Sequence, residues 1–192
     1  MHLWVPLVLL VAAAVLMWLE FRGLKTTLHL SFKGDIKRET AFLAQYGQSV
    51  ATPIAAALVW SVDRADWIGP LAILSAVSAV SLSCFVIKRL SGRVRPNREN
   101  AGRFLGPSWR HDNQRESFPS SHSACAVALS ASVIVLFPQL AEVLWTLAGI
   151  TAVLRWVLDA HFPSDVLAGS AIGYVVAHAV MAGFGYPLVV HW

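Results

Sequence analysis

Two histidines stand beside residues that suit them to chemistry. His122 follows Pro119, Ser120 and Ser121, and His161 precedes Asp165 by four positions. A histidine near a carboxylate, with a second histidine available, is what nucleophilic catalysis needs. The four-residue spacing brings Asp165 within hydrogen-bonding reach of His161 if the chain there is helical, so Asp165 could hold the imidazole. Lys88, Arg95 and Arg155 supply positive charge of the kind that binds a phosphoryl group and stabilises its equatorial oxygens. Ser120 and Ser121 fall at an expected helix N-terminus, where unpaired amides and the helix dipole favour an anion. Each cluster alone has a plainer reading. Basic residues flanking a span anchor lipid headgroups, Ser-Ser-His caps a helix, and a His/Asp pair makes a local contact. Their occurrence together carries the weight.

The elements that would position them are membrane helices. The 192 residues are 56% hydrophobic and 14% charged, with mean hydropathy +0.59. A soluble domain carries charge on about a quarter of its residues, and a bilayer-crossing helix needs about 20 mostly apolar ones. Six stretches qualify: Leu3 to Leu19, Ala41 to Val62, Trp67 to Ile87, Pro119 to Phe137, Pro138 to Leu158 and Pro163 to Val190. Pro119 is expected in the first turn of its helix, where the missing amide costs nothing. Glu20 to Glu39 mixes basic and apolar residues and is expected to lie along the interface. The expected fold class is thus all-α, a polytopic bundle of six transmembrane helices. It forms a single domain over 1–192 with both termini on one side and no internal repeat.

That span order brings three polar blocks to one membrane face, although they are far apart in sequence. Lys88 to Pro96 reads K-x6-R-P, Pro119 to His122 reads P-S-S-H, and Arg155 to Asp165 reads R-x5-H-x3-D. In this order, within 88–165, they resemble the three signature blocks of the type-2 phosphatidic acid phosphatase family. The resemblance covers roughly Lys88 to Gly173 and implies a membrane lipid phosphate phosphatase. It implies that His161 attacks phosphorus and forms a phosphohistidine, that Asp165 orients it, and that His122 protonates the leaving alcohol. Lys88, Arg95, Ser120, Ser121 and Arg155 would bind phosphate, with no metal and no cofactor. Two positions depart from the pattern: Ser121 stands where the family usually has glycine, and Leu154 where a serine commonly precedes the arginine. Both bear on substrate preference more than on reaction type.

Other classes fit less well. The pI near 9.4 points to lipid headgroups or an anionic substrate instead of nucleic acid, because no soluble domain carries the basic residues. No inverted repeat or broken helix pair suggests a transporter, and six spans argue against a soluble vanadate-dependent haloperoxidase, which shares similar blocks. Cys84 and Cys125 lie in apolar segments as packing residues, and no carboxylate, histidine or cysteine set outside the pocket has metal-ligand spacing. The first span lacks a basic start and a cleavage site, so it is expected to be retained. His178 is expected in the core, and the tryptophans mostly near span ends. His111, Asp112 and Glu116 could touch a headgroup.

The partners expected are a phosphorylated lipid substrate and membrane lipids. Which lipid, the oligomeric state, and hydrolysis versus lipid-to-lipid phosphotransfer stay open. Sidedness receives two opposed readings in the cell (inner) membrane. Of 15 Lys and Arg, only Arg64 falls opposite the pocket, which by the positive-inside rule puts the pocket in the cytoplasm. The family resemblance implies a pocket facing the periplasm or exterior.

Overall fold

Seven α-helices organise the described residues of the computed structural model, which are 2–187 apart from positions 29, 31, 49 and 111. They are α1 (Trp4–Phe21), α2 (Gly34–Leu43), α3 (Ala51–Val62), α4 (Ile68–Ser91), α5 (Ser121–Leu136), α6 (Ala141–Val157) and α7 (Pro163–Gly183). The fold is an all-α, polytopic membrane helix bundle. Four segments are long and apolar enough to cross a bilayer: α1, α4, Pro138–Val157 and α7. Their outward faces carry Leu7, Val11 and Val15 of α1, Leu82 of α4 and Val153 of α6, all exposed, as a surface solvated by lipid would.

The second expected span is not one continuous helix. Ala41 to Val62 breaks after Leu43, turns, and resumes as α3 at Ala51. The twelve residues of α3 span roughly 18 Å at 1.5 Å per residue, short of a ~30 Å hydrocarbon core. The cause is tertiary. Gly47, at φ 82°, lies so close to the α5 backbone that a Cβ there would meet Ala126 and Cys125. Within the segment expected at the interface, α2 begins at Gly34, and none of its residues is buried. The end of the sixth expected span, 188–190, falls outside the described residues.

α5 is the axis of the bundle. α4, α6 and α7 pack around it, and every residue from Ser123 to Val135 is buried. This accounts for its sequence, which is apolar or small on all sides. Its serines are satisfied internally: Ser132 donates to Ala128 O at 2.8 Å and Ser130 to Leu144 O at 2.8 Å. Pro119 does not open α5. It precedes the N-cap, Ser120, whose amide donates to Asp165 O at 3.0 Å. Pro163 does occupy the first turn of α7. Cys84 and Cys125 are buried and unpaired in the core, and His178 is buried with Nδ1 at 2.8 Å from Tyr174 O.

Glycines set the α5–α7 distance. A Cβ on Gly169 would collide with Ser120 O, and one on Gly173 with the Ala124 carbonyl, whose carbon would lie 2.9 Å away. Small residues are how membrane helices reach such close approach. Gly173→Val is therefore expected to lower the thermal unfolding midpoint in detergent clearly, because overpacking a tight contact costs about 1–3 kcal/mol. Gly149→Ala serves as control, since no atom lies within 4 Å of its added Cβ.

Candidate active site

The site forms where the last turns of α4 and α6 meet the first turns of α5 and α7. Gly92 ends α4 in the left-handed conformation, φ 59°, and sends the chain into the loop leading to α5. Only a glycine fits there, because a Cβ would strike Gly106 O. Backbone bonds brace the loop: Val94 N to Arg103 O at 2.9 Å, Arg95 N to Gln114 O at 2.8 Å and Ser117 N to Arg93 O at 3.0 Å. The α6–α7 turn folds back so that Ala160 N and His161 N both donate to Arg155 O at 3.2 Å. Arg95 Nη1 donates to Ala160 O at 3.2 Å and links the first block to the third. Lys88 Nζ donates to Glu116 O at 2.8 Å. The three sequence blocks thus meet at one end of the bundle.

His161 is 1% exposed, and its Nδ1 lies 2.7 Å from Ser117 O. A carbonyl oxygen only accepts, so Nδ1 carries the proton and Nε2 keeps its lone pair. Burial, then the charges of Lys88, Arg95 and Arg155, hold this imidazole well below its usual pKa, with the Ser117 bond opposing them. The result is a neutral imidazole among cations, oriented through one nitrogen with the other available.

Asp165 is not the residue that hydrogen-bonds His161. Its Oδ2 lies 3.9 Å from His161 Nδ1 and instead accepts from Ser117 Oγ at 2.6 Å and Phe162 N at 3.0 Å. Its Oδ1 accepts from Arg93 Nη1 at 2.5 Å. The four-residue spacing does bring the two side chains near each other, but nearer donors take the carboxylate. Asp165 reaches His161 through Ser117, a residue whose importance the motif reading did not reveal.

The cations act on both histidines: Lys88, Arg95 and Arg155 each interact electrostatically with His122 and with His161. Burial works against the charge on Arg95, and Glu116 and Asp165 offset that. The Nε atoms of Arg95 and Arg155 are buried without a hydrogen-bond partner, so both guanidiniums keep donors for an anion. In α5 the first helical bond runs from Ala124 N to Ser120 O, so the amides of Ser121, His122 and Ser123 precede it. Ser120 itself is committed elsewhere, its amide to Asp165 O and its hydroxyl to Ser123 Oγ at 2.9 Å. Among the headgroup candidates, Asp112 caps the 3₁₀ turn at Asn113–Arg115, and His111 falls outside the described residues. Among the described residues no group of three His, Cys, Asp or Glu side chains gathers as metal ligands.

Two further residues escaped the motif reading. Arg93 is 1% exposed, and its Nη2 donates to Glu20 Oε2 at 2.8 Å. Glu20, at the end of α1, also accepts from Ser164 Oγ. The signal for both was an ionisable residue at a span end, a costly placement that asks for a partner.

Residues 69–187 match the model of the PAP2 superfamily. The chain belongs to that superfamily. Two Lipid A 1-phosphatases, from Rhizobium johnstonii and Rhizobium etli, are each 34% identical to this PAP2 chain over 109 residues. The matched region is 56% of this chain, and 44% and 47% of theirs, so the chain spans about half the length of these relatives. The crystal structure of the first transmembrane PAP2 type phosphatidylglycerolphosphate phosphatase from Bacillus subtilis superposes with a TM-score of 0.64. It covers 93% of this chain and 94% of that one at 20% identity, which establishes a shared fold.

The state of His161 has a thermodynamic consequence. With a folded pKa below the reference 6.5, the unfolded chain binds the proton more readily. Stability therefore falls as pH drops through 6.5, by at most about 1.4 kcal/mol per pH unit for one proton. His161→Asn keeps an N–H for Ser117 O without titrating. Unfolding midpoints between pH 7.5 and 5 are expected to fall less steeply in this variant than in the parent.

Proposed function

We propose that the chain is an integral-membrane phosphatase that hydrolyses a lipid-linked phosphate monoester or pyrophosphate through a phosphohistidine, without a metal ion. The observation that carries this reading is the arrangement around His161: a neutral imidazole, its Nδ1 committed to Ser117 O, beside three cations, two of which have unpartnered buried donors. Superfamily membership and the relatives' names support the same class of reaction.

In the proposed cycle, Lys88, Arg95, Arg155 and the amides at the α5 N-terminus, including that of Ser121, bind the phosphate oxygens. Ser120 supports that terminus by tying it to α7. His161 Nε2 attacks phosphorus as the P–O bond to the lipid breaks, and His122 delivers a proton to the departing oxygen. Water then attacks the phosphohistidine, giving its proton to His122 and restoring the His161 lone pair. The bound phosphate sets negative charge against the three cations that act on His122. No step needs a Lewis acid, since the cations carry the transition-state charge.

We further propose that residues 1–192 form one functional unit and that the chain crosses the membrane six times, with the segment 41–62 and α5 as the two spans besides the four long ones. Alternation supports this: α4 ends, α5 begins, α6 ends and α7 begins at the site. The pocket is proposed to face the periplasm or exterior, as the resemblance to the family implies.

Purified protein in detergent with excess EDTA is expected to release phosphate from at least one of phosphatidate, phosphatidylglycerol phosphate, an isoprenyl pyrophosphate or lipid A 1-phosphate. His161→Ala should abolish turnover and the acid-labile phosphoenzyme on every substrate. His122→Ala should lose about 10²–10⁴-fold on lipid phosphates but retain partial activity on p-nitrophenyl phosphate, whose leaving group needs little protonation. Rescue of His161→Ala but not His122→Ala by the activated substrate would reverse the two roles. Chromatography of products with an added acceptor lipid separates hydrolysis from phosphotransfer.

Sidedness has its own measurement. Glu99 is exposed in the loop beside the site. Glu99→Cys in a background lacking Cys84 and Cys125 is expected to react with an impermeant thiol reagent on intact cells or spheroplasts. Labelling only after lysis would put the pocket in the cytoplasm.

A further inference from the structure

Two charged residues outside the three histidine-cation blocks' phosphate set are built into the support of the nucleophile. Arg93 Nη1 donates to Asp165 Oδ1 at 2.5 Å and to Ser164 Oγ at 2.7 Å, while Nη2 donates to Glu20 Oε2 at 2.8 Å. The guanidinium lies 4.4 Å from the Phe162 ring centroid and 5.3 Å from that of Phe104, and these faces keep water from it. Arg93 also holds Ser117 twice. Its carbonyl accepts Ser117 N at 3.0 Å, and its guanidinium holds the carboxylate that accepts Ser117 Oγ at 2.6 Å. Ser117 O in turn fixes His161 Nδ1. The orientation of the imidazole is thus the end of a chain running Glu20, Arg93, Asp165, Ser117, His161.

Glu20 sits where local rules disfavour it. It occupies the last turn of α1, the negative end of that helix dipole. Its carboxylate is 4% exposed. It is stable there because it also faces the first turn of α7, where Ser164 N donates at 3.4 Å, and because Arg93 balances it. A residue that contradicts its own helix to serve another is a sign of function elsewhere.

We propose that Arg93 and Glu20 are positioning residues for His161, fixing its Nδ1–H tautomer through Asp165 and Ser117. This rests on the reading of His161 as the nucleophile for its kinetic part, and on geometry alone for its tautomer part. A merely structural role, pinning α1 to the bundle, would lower stability without changing the imidazole or the turnover of folded protein.

The test uses the full chain in detergent with Glu20→Gln, Arg93→Gln and Arg93→Lys. Each variant's fold is checked by monodispersity and unfolding midpoint. ¹⁵N histidine spectra, assigned by comparison with His161→Asn, read the tautomer. The parent should show His161 as a single Nδ1–H form. Glu20→Gln, which keeps the shape but not the charge, and Arg93→Gln should show mixed tautomers. With p-nitrophenyl phosphate both should lower kcat at least 10-fold with KM changed less than 3-fold, and slow phosphoenzyme formation in step. Arg93→Lys should recover part of both signals. If the parent is inactive on every substrate, the phosphatase reading fails, while mixed tautomers in the variants would still uphold the positioning role. Folded variants with an unchanged tautomer overturn it. So does a fall in unfolding midpoint with kcat intact.

Discussion

Asp165 is a carboxylate with no exposure, and its ion pair with Arg93 is the interaction on which the rest of the site hangs. Burying either charge alone would cost several kcal/mol, and losing one partner of such a pair typically costs about 3–5 kcal/mol. The protein therefore surrounds the pair with hydrogen bonds: Ser117 and Phe162 donate to the carboxylate, and Ser164 and Glu20 accept from the guanidinium. Those partners come from α1, the α4–α5 loop and the start of α7. Satisfying the pair draws three separate parts of the chain to one point, and His161 stands beside it.

The same pairing shapes the field that a phosphate meets. Two carboxylates near the site, Asp165 and Glu20, share the single positive charge of Arg93, which offsets part of their charge, and Asp165 still acts on Lys88 and Arg95. Lys88, Arg95 and Arg155 all act on His161. Together with burial, the larger effect, they favour the unprotonated imidazole, and they also attract an anion. One charge distribution performs both tasks. A neutral residue in place of any of the three would weaken anion binding and relax the constraint on the imidazole together.

The three blocks were readable because each combines distinctive residue types with fixed spacing, and their order survives any loop between them. Helix positions were readable where an apolar run met a breaker, as at Pro163. The break between α2 and α3 was not, since it depends on how closely Gly47 approaches Ala126 of α5. Hydropathy contains no such information. The spacing of His161 and Asp165 correctly announced proximity but not bonding: Arg93 and Ser117, 72 and 48 positions from Asp165, take its oxygens. Ser120 looked like a phosphate ligand by its place at a helix start, yet its amide is used by Asp165 O. Local pattern identifies which groups are available, and tertiary competition decides what each one holds.

That last bond, Ser120 N to Asp165 O at 3.0 Å, joins the start of α5 directly to the start of α7. It forms only because Gly169 lets the α7 backbone lie against Ser120 O and Gly173 repeats the contact one turn on, against Ala124 O. The consequence is electrostatic as well as steric. Two helix N-termini, each bearing a partial positive charge of roughly half a unit, are brought to the same end of the bundle. The α7 terminus is occupied by the Glu20 and Asp165 carboxylates. The α5 terminus carries His122 and has no side-chain cap. Of two equivalent anion sites, the fold therefore fills one with its own carboxylates and leaves the other beside three cations. The placement of carboxylates, alongside the three cations, leaves the α5 terminus, at His122, as the one open to an anion.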